Sequence, residues 1–187
     1  MTSDFQRILR RLKPEKHRQQ LKPRKESELA FLTPDSDKPR TLLYDTTVYV
    51  DVLQGRFPVT AEAMLCAVDA WHSTVTETEL AAICALLDPG HPSTREVIAQ
   101  ITEILDRRSP YRTIAPDRQA WREAGILSGT LARLQGHSKA DRRRILNDAL
   151  IFATARKCGH AVLTRNIVDF DYLQQLDPSG RVLFYTV

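Results

Sequence analysis

The spacing of apolar residues changes twice along the chain. Phe5, Ile8, Leu9 and Leu12 stand at i, i+3, i+4 and i+7, one stripe of a helix that ends at Pro14. Arg7, Arg10 and Arg11 occupy the other face. So short a helix is not stable alone; it needs its own domain, a second subunit or a partner to lie on. Residues 14–40 lose the pattern. They are polar, carry Pro14, Pro23, Pro34 and Pro39, and predict a linker.

From residue 41 short apolar runs alternate with helical stripes. TLLYD (41–45) predicts a strand ending in an acid, and VYVDVLQ (48–54) a helix stopped by Gly55 and Pro58. TAEAMLCAVDAW (60–71) predicts a second helix, HSTV (72–75) a strand, and ETELAAICALLD (77–88) a helix stopped by Pro89 and Gly90. Ser93 and Glu96 form a capping-box pattern before the next helix. A short strand near YRTIA, helices over 117–134 and 142–158, a strand AVLT (161–164), a turn carrying Asn166 and Asp169, and a last strand RVLFYTV (181–187) complete the chain. Strands that alternate with helices and are apolar throughout predict an α/β fold with a parallel sheet covered on both faces.

Composition narrows the classes. Apolar residues make up 42% and charged residues 27%, enough apolar material for a real core. No apolar run approaches the roughly 18 residues that span a bilayer, and the first twenty residues are charged almost from the start, which predicts a cytoplasmic protein and no membrane partner. Cys66, Cys84 and Cys158 are odd in number, widely spaced and set in apolar stretches, which predicts small core residues rather than ligands or disulfides. The net charge of +4 is uneven: residues 1–40 hold 11 Lys and Arg against 6 Asp and Glu, and the remainder is nearly balanced. A basic arm of this kind attracts nucleic acid or is simply solvated.

The candidate chemistry lies in four acids. Asp45 closes the first strand at the carboxyl edge of the sheet, where ligands of open α/β sheets bind; position alone leaves a helix N-cap equally open. Glu79 shares a helical stripe with Ala82, Ile83, Leu86 and Leu87, although an exposed helix start would also explain it. Asp148 shares a stripe with Ile145, Phe152 and Ala155 in mid-helix. Burying a lone charge there costs several kcal/mol without compensation, and Arg142, Arg143 and Arg144 stand a turn or more earlier. The alternative is a partly exposed acid on the stripe's edge. Asp169 lies in the turn beyond AVLT, at the same sheet edge, and Asp171 is read as structural or solvated. With no cationic cluster nearby and no His or Cys among them, such oxygen ligands select Mg2+ or Mn2+, and carboxylate-held ions of this type suit phosphodiester hydrolysis.

At these residues the sequence resembles the PIN-domain ribonucleases, specifically the VapC-like toxins of type II toxin–antitoxin pairs, from Leu42 to about Val187. LLYDTTVYVDVL, STVTETEL, NDALIFATARKCGHAVLTRN and TRNIVDF are similar to the four motifs of that family, in order. The resemblance implies a PIN-like three-layer fold with a central parallel sheet flanked by helices over residues 41–187, preceded by a basic N-terminal extension, residues 1–40. It implies a Mg2+- or Mn2+-dependent endoribonuclease leaving 5′-phosphate and 3′-hydroxyl ends, a homodimer, and a cognate VapB-like antitoxin as partner. Carried over by position, Asp45, Glu79, Asp148 and Asp169 are the metal-site and catalytic acids, with Asp45 and Asp148 as direct ligands. Thr46, Thr164 and Asn166 are the polar residues that support them. VapC-like toxins usually begin close to the first strand. The extra 40 residues are outside the family pattern: an RNA-binding arm, a subunit contact, a replacement for part of the antitoxin contact, or a segment with no role.

Arg142, Arg143 and Arg144, with Lys139 beside them, open the helix of Asp148 against its dipole. They read as an RNA-backbone contact, a solvated face or an antitoxin salt bridge. A catalytically inactive PIN-like module that binds RNA or protein is the alternative function, and loss of a motif acid would favour it. A phosphotransfer receiver or a dehalogenase-type phosphatase fits poorly, since Asp45 is followed by Thr46 and Thr47 and the last lysine is Lys157, within a helix.

Overall fold

The computed structural model describes residues 3–33, 39–66 and 68–187. Five strands form one parallel sheet in the order β3-β2-β1-β4-β5: β1 (Thr41–Tyr44), β2 (Asp69–Ser73), β3 (Thr113–Ile114), β4 (Ala161–Thr164) and β5 (Arg181–Phe184). The described helices are α1 (Asp4–Leu12), α2 (Thr46–Leu53), α3 (Val59–Leu65), α4 (Thr74–Leu86), α5 (Thr94–Asp106), α6 (Arg118–Gln135), α7 (Asp141–Cys158) and α8 (Ile167–Leu176).

Successive strand residues point to opposite faces, and two cores follow. Leu43, Val162, Val182 and Phe184 face a layer containing α1, α6, α7 and α8; Leu42, Ala161, Leu163 and Leu183 face α2, α4 and α5. This is the three-layer α/β arrangement that the pattern predicts. Among the described residues no helix is long and apolar enough to cross a membrane.

Several elements differ from expectation. The helix expected over 60–71 ends at Leu65, and Asp69 to Trp71 belong to β2, paired with Thr41 to Leu43 of β1. Sheet pairing overrides the helical propensity of this Ala-rich stretch; Ala67 lies outside the described residues. The segment after β4 is a nearly buried helix, α8, not a turn. Ser93 makes no capping bond; its hydroxyl pairs with His91 Nδ1 at 2.8 Å. On α4 the buried face is Val75, Thr76 and Leu80, and Leu86, expected inside with Glu79, is exposed. The cysteines are free; Cys66 and Cys158 are exposed and so are not core residues, while Cys84 is partly buried and packs against the core.

The N-terminal segment is laid on the α/β body of the same chain. Ile8 and Leu12 enter the core beside Leu127 and Leu131, while Phe5 stays largely exposed. Arg11 reaches buried Glu123 at 2.8 Å and also pairs with Asp177; Arg156 meets the same two acids from inside the domain. Beyond α1, Arg24 clamps Asp171, with Nε donating to Oδ1 at 2.5 Å and the backbone N–H to Oδ2 at 2.9 Å. Asp171 is therefore structural and buried, not solvated. Ala30 to Leu32 then bond to Phe184 along the free edge of β5, which covers a strand edge that would otherwise offer unpaired backbone. The part of the expected linker that includes Pro34 lies outside the described residues.

Leu12→Ala is expected to lower the stability of the isolated chain by about 3 kcal/mol, the usual cost of truncating a buried leucine. Urea unfolding measures it. A midpoint equal to the parent's would mean that α1 contributes nothing without a partner.

Candidate active site

The carboxyl ends of β1 and β4 lie side by side, with Tyr44 opposite Leu163. The residues that follow each strand open a cleft of about 650 Å³ lined by Asp45, Thr46, Glu79, Arg144, Asp148 and Asn166, among others. Asp45 caps α2, accepting from Thr47 N–H at 3.3 Å. The same oxygen, Oδ2, accepts from the hydroxyls of Thr47 at 2.7 Å and Thr164 at 2.8 Å. The cap and the cleft-lining role therefore coexist in one residue.

Glu79 stands in the second turn of α4, half-buried. Thr46 Oγ1 donates to its Oε2, and Asn147 Nδ2 donates to its Oε1 at 2.8 Å. Asn166 caps α8 and bridges two acids, with Nδ2 at 2.9 Å from Asp169 Oδ2 and 3.3 Å from Asp148 Oδ2. Asp169 is also bonded by Arg144. Asp45, Asp148 and Asp169 are thus linked through Thr164 and Asn166, while Thr46 and Glu79, which line the same cleft, form a second network with Asn147; Thr164 and Asp169 are not among the residues lining the cleft.

The sequence predicts no local base for Asp148 and no cation near the acids. Instead Arg144, four residues earlier on α7, turns inward to Asp169 and lies 3.9 Å from Asp148 Oδ2. The arginine run therefore divides. Arg142 borders a separate pocket with Gly125, Gly129 and Arg133, while Arg143 and Lys139 are exposed. The i,i+4 spacing of Arg144 and Asp148 was the available signal.

Thr47, Asn147 and Arg165 are further parts of the site that the sequence reading missed. Arg165 lines the cleft, and its guanidinium is fixed on fully buried Asp51 by bonds of 2.6 and 3.1 Å. Arg56 and the Tyr185 hydroxyl bond the same carboxylate. Burial pushes the Asp51 carboxyl up, but the bonds from Arg165 and Tyr185 and the charges of both arginines hold it below its ordinary value.

Asp45, Glu79 and Asp148 behave in the opposite way. Burial first, and then the charges of Asp45, Asp169 and Glu79, push Asp148 well above the usual carboxylate range, with Arg144 only partly opposing. Burial likewise raises Asp45 against the bonds from Thr47 and Thr164, and raises Glu79 against those from Thr46 and Asn147. An all-oxygen donor set with too little positive charge suits a hard divalent cation. Among the described residues no group of three or more His, Cys, Asp and Glu forms a ready-made cage. An ion there would take one or two carboxylates and complete its shell with water, as Mg2+ commonly does.

A raised carboxyl value in the folded chain favours the protonated form. Its contribution to stability is full at low pH and is lost as pH rises through the folded value. Asp148→Asn is therefore expected to stabilise the metal-free chain at neutral pH by about 1 kcal/mol, roughly 3 °C in Tm. The gain should fade in acid, where Asp148 protonates unaided. Thermal melting in EDTA from acid to neutral pH measures it, and a loss of stability at neutral pH would show that the charge is already compensated.

No protein-family profile and no curated protein sequence matches the chain. Solved structures do match its fold. A structure of FitAB bound to an IR36 DNA fragment has a TM-score of 0.56 and 20% identity, over 77% of this chain and 94% of that one. VapBC2 from Rickettsia felis, bound to a DNA fragment from its promoter, has a TM-score of 0.55 and 16% identity, over 79% and 99% of the two chains. VapBC-5 from Mycobacterium tuberculosis, a member of the VapBC family of toxin–antitoxin systems, has a TM-score of 0.51 and 21% identity, over 80% and 100%. At these identities the likeness establishes the architecture alone: the chain has a PIN-like α/β fold, shared with a chain in each of these complexes.

Proposed function

We propose that this chain is a Mg2+- or Mn2+-dependent endoribonuclease and the toxin of a VapBC-like pair, with a VapB-like antitoxin as its partner. The observation that carries the nuclease reading is the undercompensated acid cluster in an open cleft. Asp148 is the acid with the least help: a 3.3 Å bond from Asn166 and a guanidinium at 3.9 Å. The partner reading rests on the toxin–antitoxin structures that share the fold.

In this reading Asp45 and Asp148 hold the ion, and Glu79 and Asp169 complete the pocket. Thr46, Asn147, Thr164 and Asn166 keep the carboxylates oriented, so that little rearrangement accompanies the reaction. A divalent ion held there would supply an activated water and would neutralise charge on the phosphate oxygens. Arg142, Arg143 and Lys139, exposed near the start of α7, offer charge to the RNA backbone outside the cleft. No acid of the four motifs is missing, which disfavours the inactive-module alternative.

Asp148→Asn keeps the shape of the side chain and removes its charge. It is expected to slow RNA cleavage in Mg2+ by on the order of 100-fold or more, read on a labelled single-stranded RNA. Cleavage as fast as the parent's would remove Asp148 from the site.

A further inference from the structure

Arg144 sits where local helix preferences would not put it. It lies in the first turn of α7, where the dipole disfavours a cation, and an arginine four residues before an aspartate is the weaker order for a helical pair. Two acids from different elements hold it there: Asp169 on α8, which it bonds directly, and Asp148 on its own helix, 3.9 Å away. The contrast with Arg165 is informative. Arg165 spends two bonds on the fully buried Asp51, whereas the side chain of Arg144 is 54% exposed and can swing into water once another cation takes over the charge of its two buried partners, Asp169 and Asp148.

A divalent ion bound through Asp148 would lie next to this guanidinium, and the two cations would repel. We propose that Arg144 is a resident counter-ion of the acid cluster, which the metal must displace, so that this one residue sets the metal affinity of the cleft. The inference rests on the metal-site reading above. It makes two demands, and the second separates it from a merely structural ion pair. Removing the guanidinium must weaken the metal-free fold, because the acids lose their cation. It must also strengthen metal binding, because a competitor is gone and the repulsion that the ion relieves is larger. A structural pair would instead loosen the contact between α7 and α8 and weaken both.

Mn2+ titration calorimetry on the full chain separates these outcomes. Arg144→Gln is expected to bind Mn2+ about 10-fold tighter than the parent, the ordinary size of a coupling between two ligands at one site. Arg144→Lys should fall between, since an ammonium is a point charge that does not span two carboxylates. Melting in EDTA and in Mn2+ gives a second readout, with a larger metal-induced rise for Arg144→Gln than for the parent. Equal or weaker Mn2+ affinity in Arg144→Gln, with the parent still binding, overturns the inference and leaves the metal site standing. Absence of Mn2+ binding in both proteins overturns the metal-site reading and the inference with it. Should Arg144→Gln fail to fold, Arg144→Lys decides: tighter binding supports the competition, and equal or weaker binding overturns it.

Discussion

Parallel pairing of β1 with β4 in one register is the constraint on which the cleft depends. With Tyr44 opposite Leu163, Asp45 N–H donates to Leu163 O at 3.0 Å, and the Thr164 hydroxyl meets the Asp45 carboxylate. The same pairing delivers Asn166 to the start of α8, where one amide caps the helix and bridges Asp148 and Asp169. A slip of one residue would turn Leu42 and Leu43 to the wrong faces and move Asp45 away from its threonines. The two cores and the polar cleft therefore enforce one another: the apolar alternation of the strands selects the register, and the register places the acids.

The protein buries two kinds of carboxylate. Asp51, Asp171, Glu123 and Asp177 each meet at least one arginine directly. They tie α2 to the end of β4, and the N-terminal segment to α6 and α8. Asp45 and Asp148 are as deeply buried, yet Asp45 is met by hydroxyls and backbone, and Asp148 by one amide and a guanidinium at the limit of contact. The chain has 27 Lys and Arg, and it places arginines on its structural acids while leaving this cluster short of charge. The metal-site proposal rests on this difference, because a fully compensated acid has little to gain from a metal.

The N-terminal segment shows how a basic, proline-dotted sequence can still be part of a fold. Ile8 and Leu12 supply an apolar face for α6, Arg11 joins Arg156 in compensating Glu123 and Asp177, and Ala30 to Leu32 close the edge of β5. Part of the basic charge that reads as a nucleic-acid arm has intramolecular partners: Arg11 and Arg24 are held by buried acids. The excess of Lys and Arg in residues 1–40 thus describes composition, and the tertiary contacts decide what part of it faces solvent.

Sequence alone determined what local periodicity and strand chemistry control. The apolar runs gave the order of strands and long helices, and the apolar stripe of Ile145, Phe152 and Ala155 exposed Asp148 as an acid in an apolar setting. The positions after strand ends marked Asp45 and Asn166. What local pattern does not encode was decided in three dimensions. Residues 69–71 became a strand because β1 offered a pairing edge, and residues 167–176 became a helix because Asn166 caps it and its apolar side chains reach the core. Glu79 joined the site through Thr46 and Asn147, not through the stripe that first singled it out. The assignment of Arg144 to the acids, and of Arg165 to Asp51, required the whole fold. A long charged side chain reaches any partner within several ångströms, and only the packing of separate elements fixes which partner is there.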